Sequence, residues 1–226
     1  MASQSTSTPD DVRLYRTKND LPASTRTQVA ALLNQRLADC IDLQTQCKQA
    51  HWNVKGPNFI ALHELFDEIN EEVEDYVDLI AERVVQLGGV AEGTARAIAD
   101  RSTLDIYPLV LTTGAEHVEQ LSSALAAFGR TARMGIEEMN DLEDADSADI
   151  LTEISRGTDK WLWFVEAHQQ GALADAASEA EVPVTRAPAR SERATPRHEA
   201  TGSRQTARHA SAGNGHGKRP RSAPPR

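Results

Sequence analysis

Apolar residues recur along this chain at steps of three and four, and nowhere do they alternate with polar ones as a half-buried strand requires. The pattern predicts an all-α protein with four long helices. The first is expected to begin at Ser24 or Thr25, N-cap residue types that follow Pro22, and to carry Val29, Leu33, Leu37, Cys40 and Cys47 on one side as far as His51. Lys55-Gly56-Pro57-Asn58 then breaks it. The second helix, Phe59 to Leu87, sets Phe59, Leu62, Phe66, Ile69, Val73, Tyr76, Ile80, Val84 and Leu87 in one stripe, and Gly88-Gly89 ends it. A third is expected over Pro108 to Met139, burying Leu111, Val118, Leu121, Leu125, Phe128 and Ile136. The fourth should start near Ser147 and carry Ile150, Ile154, Trp161 and Val165 to Gln170.

The joints at 52–58 and 140–146 are short, which predicts antiparallel neighbours. Gly88 to Tyr107 is much longer, and its middle, Val90 to Asp100, reads as a short helix of its own. A link of that length returns along a bundle and leaves the second and third helices parallel.

Charge divides the chain near Val182. Residues 1–181 hold 14 Lys/Arg against 32 Asp/Glu, whereas residues 182–226 hold 10 against 2. The expected organisation is a flexible N-terminal segment (1–20), one helical domain (21–181) and a basic, disordered tail (182–226) that has no Leu, Ile, Phe, Trp or Tyr with which to build a core. No run approaches about 18 apolar residues, and MASQSTSTPDDV lacks the basic start and apolar stretch of a secretory signal, so a cytoplasmic protein without a membrane partner is expected. Cys40 and Cys47, seven residues apart on one helix, would stand about 10 Å apart. That is too far for a disulfide, and both are read as core residues.

Four potential metal ligands stand out on the second helix: His63, Asp67, Asp78 and Glu82. Each pair is spaced i,i+4, which stacks both side chains on one face. At about 100° per residue from Leu62 they project at about 100°, 140°, 160° and 200°, away from the apolar stripe. For any single carboxylate on such a face the ordinary role is solvation, and Glu68, Glu72 and Asp75 are assigned to it. The histidines carry more weight, because the helical region has only four and two of them, His51 and His63, flank one turn. The midpoints of the two pairs are about 22 Å apart at 1.5 Å per residue, so one ion is not held by both within one chain. An antiparallel copy of the second helix across a two-fold axis brings His63 and Asp67 of one subunit to Asp78 and Glu82 of the other, with Ala81 and Val85 as apolar contacts and His51 reaching in from the side. An imidazole-carboxylate set without thiolate suits iron, manganese or zinc, and a loosely held site open to oxidant suits turnover.

The run HWNVKGPNFIALHELFD (His51 to Asp67), followed by VDLIAERVVQLGGVA (Val77 to Ala91), resembles the two signature segments of Dps, the mini-ferritins named as DNA-binding proteins from starved cells. Helix order, crossover and Trp52 agree over about residues 20–170. The resemblance implies a ferritin-like four-helix bundle assembled into a hollow dodecameric shell. It implies an iron-oxidising centre at each two-fold interface, with His51, His63 and Asp67 from one subunit and Asp78 and Glu82 from its mate. It further implies oxidation of Fe(II), preferably by hydrogen peroxide, and storage of the ferric product as mineral. By the same analogy Trp52 supplies an electron when a single iron is present; its ordinary role is packing at the helix end, as for Trp161 and Trp163.

Glu137, Glu138, Asp141, Glu143, Asp144, Asp146 and Asp149 read as a solvated acidic joint that also favours the following helix N-terminus. In family members a comparable region lines three-fold pores, which nominates Asp141, Asp146 and Asp149. In the tail, Arg186, Arg190, Arg193, Arg197, Arg204, Arg208, Lys218, Arg219, Arg221 and Arg226 can neutralise phosphates without reading bases, predicting nonspecific, salt-sensitive DNA binding and a nucleoid location. Folding of the tail onto its own acidic shell is the competing role, and His198, His209 and His216 are read as exposed. A di-iron site inside one bundle would require E-x-x-H motifs, and the chain contains none. A purely architectural DNA-compacting protein with an idle metal site is the alternative from a different class.

Overall fold

Helices at the positions set by the apolar stripes form the chain. A computed structural model describes residues 14–180, with side chains from 14 to 170. Five helices follow in order: α1 (Ala23–Asn53), α2 (Phe59–Gln86), α3 (Ala95–Arg101), α4 (Gly114–Asp141) and α5 (Ala145–Ala180). No strand occurs among the described residues.

The stripe on α2 is buried from Leu62 through Phe66, Ile69, Val73, Tyr76 and Ile80 to Val84. It meets Val29, Leu33, Leu37, Cys40, Leu43 and Cys47 of α1 in the same core as Leu121, Leu125 and Phe128 of α4 and Leu151, Ile154, Trp161 and Val165 of α5. Full burial of each large aliphatic or aromatic side chain contributes about 1.5–3 kcal/mol, so this core supplies the main driving force. Cys40 and Cys47 are free and buried, as read from sequence. Burial pushes the Cys47 thiol up to about 12 and raises Cys40 as well, which keeps both protonated and inert.

Contacts along the helices give their directions. Gly114, the first residue of α4, lies against Leu62 in the first turn of α2 and against the Lys55 carbonyl, while the Arg36 guanidinium on α1 reaches the Thr131 carbonyl at 3.0 Å. Hence α1 and α4 run antiparallel, and α2 and α4 run parallel. Tyr76 of α2 meets Gly157 of α5, and Arg83 meets Ser147, so these two are antiparallel also. Gly157 is required there: a β-carbon would stand 1.7 Å from the Tyr76 hydroxyl.

The crossover returns along α1, and polar side chains of α1 satisfy its irregular backbone. Asn34 donates to the Val90 carbonyl and accepts from the Glu92 N–H, both at 3.0 Å. Gln35 donates to the Arg101 carbonyl at 2.8 Å, buried Asp39 accepts from the Thr103 N–H at 2.8 Å, and Gln46 donates to the Asp105 carbonyl at 3.1 Å.

Helix starts depart from the expectations. The third long helix begins at Gly114 and not at Pro108, because a capping box sits at Thr113: its hydroxyl accepts from the Glu116 N–H at 3.3 Å, and the Glu116 carboxylate accepts from the Thr113 N–H at 2.8 Å. Leu109 and Val110, inside the expected helix, are 79% and 83% exposed. Ser24 and Thr25 lie inside the first turn of α1, whose N-cap position is Pro22 with its carbonyl accepting from Arg26 at 3.0 Å. Helix α5 starts before Ser147 and continues past Gln170.

The acidic joint is also not uniformly solvated. Asp144 is buried, accepts from the Arg83 guanidinium at 2.7 Å and from the Ser147 hydroxyl at 2.7 Å, and so ties the joint to the end of α2. Asp141, Asp146 and Asp149 are exposed. Residues 14–20, assigned to a flexible segment, run past the end of α2, where the Tyr15 N–H donates to the Gly88 carbonyl at 2.7 Å.

Candidate metal centre

The turn between α1 and α2 brings His51 and His63 face to face. Gly56, at φ +114°, supplies the left-handed residue of that turn, and its carbonyl accepts from the Phe59 N–H at 3.1 Å as α2 begins. The two imidazoles stack with centroids 3.7 Å apart and an interplanar angle of 20°. Each is held by the other's backbone: His51 Nδ1 donates to the His63 carbonyl and His63 Nδ1 donates to the His51 carbonyl, both at 2.8 Å. The His51 carbonyl is available because the last carbonyls of a helix have no partner within it. A carbonyl only accepts, so both Nδ1 atoms carry hydrogen, and a ring in its neutral form has its lone pair on Nε2. That is the form in which imidazole binds a metal.

One turn beyond His63, Asp67 is paired with the Lys48 ammonium. The hydrogen bond from Lys48, aided by the nearby His51 and His63, holds the Asp67 carboxyl below the usual carboxylate range, so it is ionised at neutral pH. Lys48 is a functional neighbour that the sequence reading did not single out, although its place three residues before His51 sets both on one face of α1.

Asp78 and Glu82 are exposed, with no hydrogen bond or ion pair among the described residues. They lie beyond reach of the first three, as the helical rise requires, and no three His, Cys, Asp or Glu groups gather closely enough to hold an ion among the described residues. Beside Glu82 an open apolar recess is lined by Ala81, Val85, Gln86 and Ala91, with Val85 58% exposed. Trp52 is 69% exposed on the rim of a second recess that also contains Lys48, Asn70, Glu74, Tyr107 and Leu109. Of the other tryptophans, Trp161 is buried edge-on to Phe164 and Trp163 is exposed. The tail arginines, Lys218 and the tail histidines lie outside the described residues.

Residues 30–172 match the model of the ferritin-like domain. A "DNA protection during starvation protein" of Agrobacterium fabrum is 42% identical over 159 residues, covering 70% of this chain and 98% of its own. The chain belongs to the Dps mini-ferritin family. Solved Dps structures superpose on it over the helical region: Mycobacterium smegmatis Dps in its tetragonal form, with a TM-score of 0.66 at 36% identity over 69% of this chain and 94% of that one, and DpsA14 from Streptomyces coelicolor, with 0.67 at 32% over 70% and 94%. The ferritin-like bundle expected from sequence is therefore the fold of this Dps-family chain. None of its helices, among the described residues, is long and apolar enough to cross a membrane.

Proposed function

We propose that this chain oxidises Fe(II), with hydrogen peroxide as the preferred oxidant, at centres shared by two subunits, and stores the ferric product inside a dodecameric shell that protects DNA in the cytoplasm. The observation that carries this reading is the reciprocal Nδ1-to-carbonyl lock on His51 and His63, which leaves two Nε2 lone pairs beside the ionised Asp67. An imidazole-carboxylate set of this kind suits iron, and within one chain these donors do not close round an ion. Asp78 and Glu82 of a second subunit complete the set, and the recess at Ala81, Val85 and Ala91 gives the second copy an apolar seat. Iron is the substrate: two Fe(II) supply the two electrons that reduce one peroxide to water, so no hydroxyl radical is released. Asp141, Asp146 and Asp149, all exposed, are the candidates for guiding Fe(II) inward.

Mixing tests the sharing of the centre. His63→Ala and Glu82→Ala should each abolish rapid peroxide-driven oxidation, and co-assembly of the two in equal amounts should restore about a quarter of the centres, because half of the interfaces are mixed and each of these holds one intact centre. No recovery on co-assembly would place all the ligands in one subunit.

DNA binding is assigned to the tail through Arg186, Arg190, Arg193, Arg197, Arg204, Arg208, Lys218, Arg219, Arg221 and Arg226, multiplied by many tails on one shell. Truncation after Glu181 should remove DNA retardation at low salt and leave iron oxidation intact. Equal retardation by the truncated protein would reject this role.

A further inference from the structure

Tyr107 and His117 form a buried pair that the iron chemistry above does not use. Tyr107 is 8% exposed and His117 1%. The Tyr107 hydroxyl and His117 Nδ1 are hydrogen-bonded at 2.5 Å, and with the ring hydrogen on Nε2, on the side of the Asn53 carbonyl, the hydroxyl is the donor; the rings lie nearly parallel, with an interplanar angle of 22°. The pair joins the end of the crossover to the first turn of α4, and for that joining alone any hydrogen bond would serve. The acceptor is what matters: an imidazole lone pair is a base able to take the phenolic proton. Desolvation lowers the His117 pKa and raises that of Tyr107, so at rest both are neutral and the lone pair is available. On the far side of the imidazole, Nε2 lacks hydrogen-bonding geometry, yet the Asn53 carbonyl is close enough to favour the protonated ring.

Shared neighbours link the pair to the iron site. Tyr107 lines the recess of about 620 Å³ that contains Trp52 and Lys48, and Lys48 holds Asp67. Asn53 follows His51 by two residues. The other tyrosines are placed differently. Tyr76 donates to the Glu72 carboxylate at 2.8 Å, a weaker base than imidazole, and its hydroxyl faces Gly157 on α5. Tyr15 lies by the far end of α2, against Gly88.

Resting on the iron-oxidising reading, we propose that Tyr107 donates one electron to the iron centre when it holds a single Fe(II), and that His117 accepts the phenolic proton. Peroxide needs two electrons and two protons to become two waters. One Fe(II) supplies one electron and becomes Fe(III). Tyr107 supplies the other: its O–H bond breaks, the proton forms an N–H bond at His117 Nδ1, and a neutral phenoxyl radical remains beside an imidazolium. The two protons for water come from solvent. The damaging one-electron product is thereby replaced by a buried radical.

The test uses the full-length assembled protein with one Fe(II) per centre, mixed with hydrogen peroxide and freeze-quenched for electron paramagnetic resonance. A tyrosyl signal is expected, narrowed when the protein is made with ring-deuterated tyrosine. It should persist in Tyr15→Phe/Tyr76→Phe, which leaves Tyr107 as the sole tyrosine, and vanish in Tyr107→Phe, while oxidation at two Fe(II) per centre is unchanged in both. His117→Gln should slow its appearance about a hundredfold. Oxidation without any tyrosyl signal, a signal surviving Tyr107→Phe, or its loss from the Tyr15/Tyr76 double variant overturns the proposal and leaves the iron reading standing. Absence of peroxide-driven oxidation at two Fe(II) per centre in the unaltered protein removes that reading and this proposal with it.

Discussion

Along α2, His63 and Asp67 have their partners already in place, whereas Asp78 and Glu82, about four turns further on, face solvent on the same helix. The first pair is organised by α1: the turn at Gly56 sets His51 against His63, and Lys48 reaches across to Asp67. The second pair has no such neighbour among the described residues. Its rigidity comes from beneath, where Arg83 is buried against Asp144 and Ser147 and anchors the end of α2. Under the proposed sharing of the centre, one half-site is built within the chain and the other is only anchored by it. The cost of ordering the first half is met on folding, so binding the second subunit and the ion need not supply it.

The largest expected effect comes from denying the second half its partner. Val85→Arg sets a charge in the apolar recess beside Glu82, and burying it unpaired at a subunit contact costs about 3–5 kcal/mol per charge. Sedimentation should show loss of association and stopped-flow mixing loss of rapid Fe(II) oxidation. The Nδ1–H tautomers of His51 and His63 should meanwhile remain visible by nitrogen NMR, because they depend on α1 and not on the interface. Collapse of both halves together would erase the distinction between them.

Smaller is the effect of removing the anchor. Arg83→Met leaves Asp144 buried without its cation and should destabilise the chain by about 3–5 kcal/mol in denaturant unfolding, and adding Asp144→Leu should recover most of that loss, since the stranded charge causes it. Little change in Arg83→Met would mean that the end of α2 is held by apolar packing alone.

The smallest effect belongs to the capping box that starts α4, far from Glu82 and close to the turn. Hydrogen bonds from the Thr112 and Thr113 backbone N–H groups lower the Glu116 carboxyl from its ordinary 4.5 to about 2. The folded pKa lies below the unfolded one, so this stabilisation is fully present above about 4.5 and disappears as pH falls toward about 2. Amide exchange at Thr113 and Glu116 should accelerate across that window, and Glu116→Gln should flatten the dependence.

Apolar spacing determined much of this protein by itself. It placed four long helices and their inward faces, with the polarity of the crossover, because burial of an amphipathic stripe depends on which positions repeat at 3.6 residues. The i,i+4 placement of His63 with Asp67 and of Asp78 with Glu82 was legible for the same reason, as was the gap between the pairs. Helix starts were less so: the expected start at Pro108 gave way to a hydrogen-bonded box at Thr113 and Glu116 that hydrophobicity does not register. Only the tertiary structure set His51 Nδ1 on the His63 carbonyl, drew Asp144 out of an acidic run to meet Arg83 from 61 residues away, and joined Tyr107 to His117. Each of these pairs spans two elements, and the distance between elements is fixed by how helices pack and turns bend, which no spacing along a single helix records.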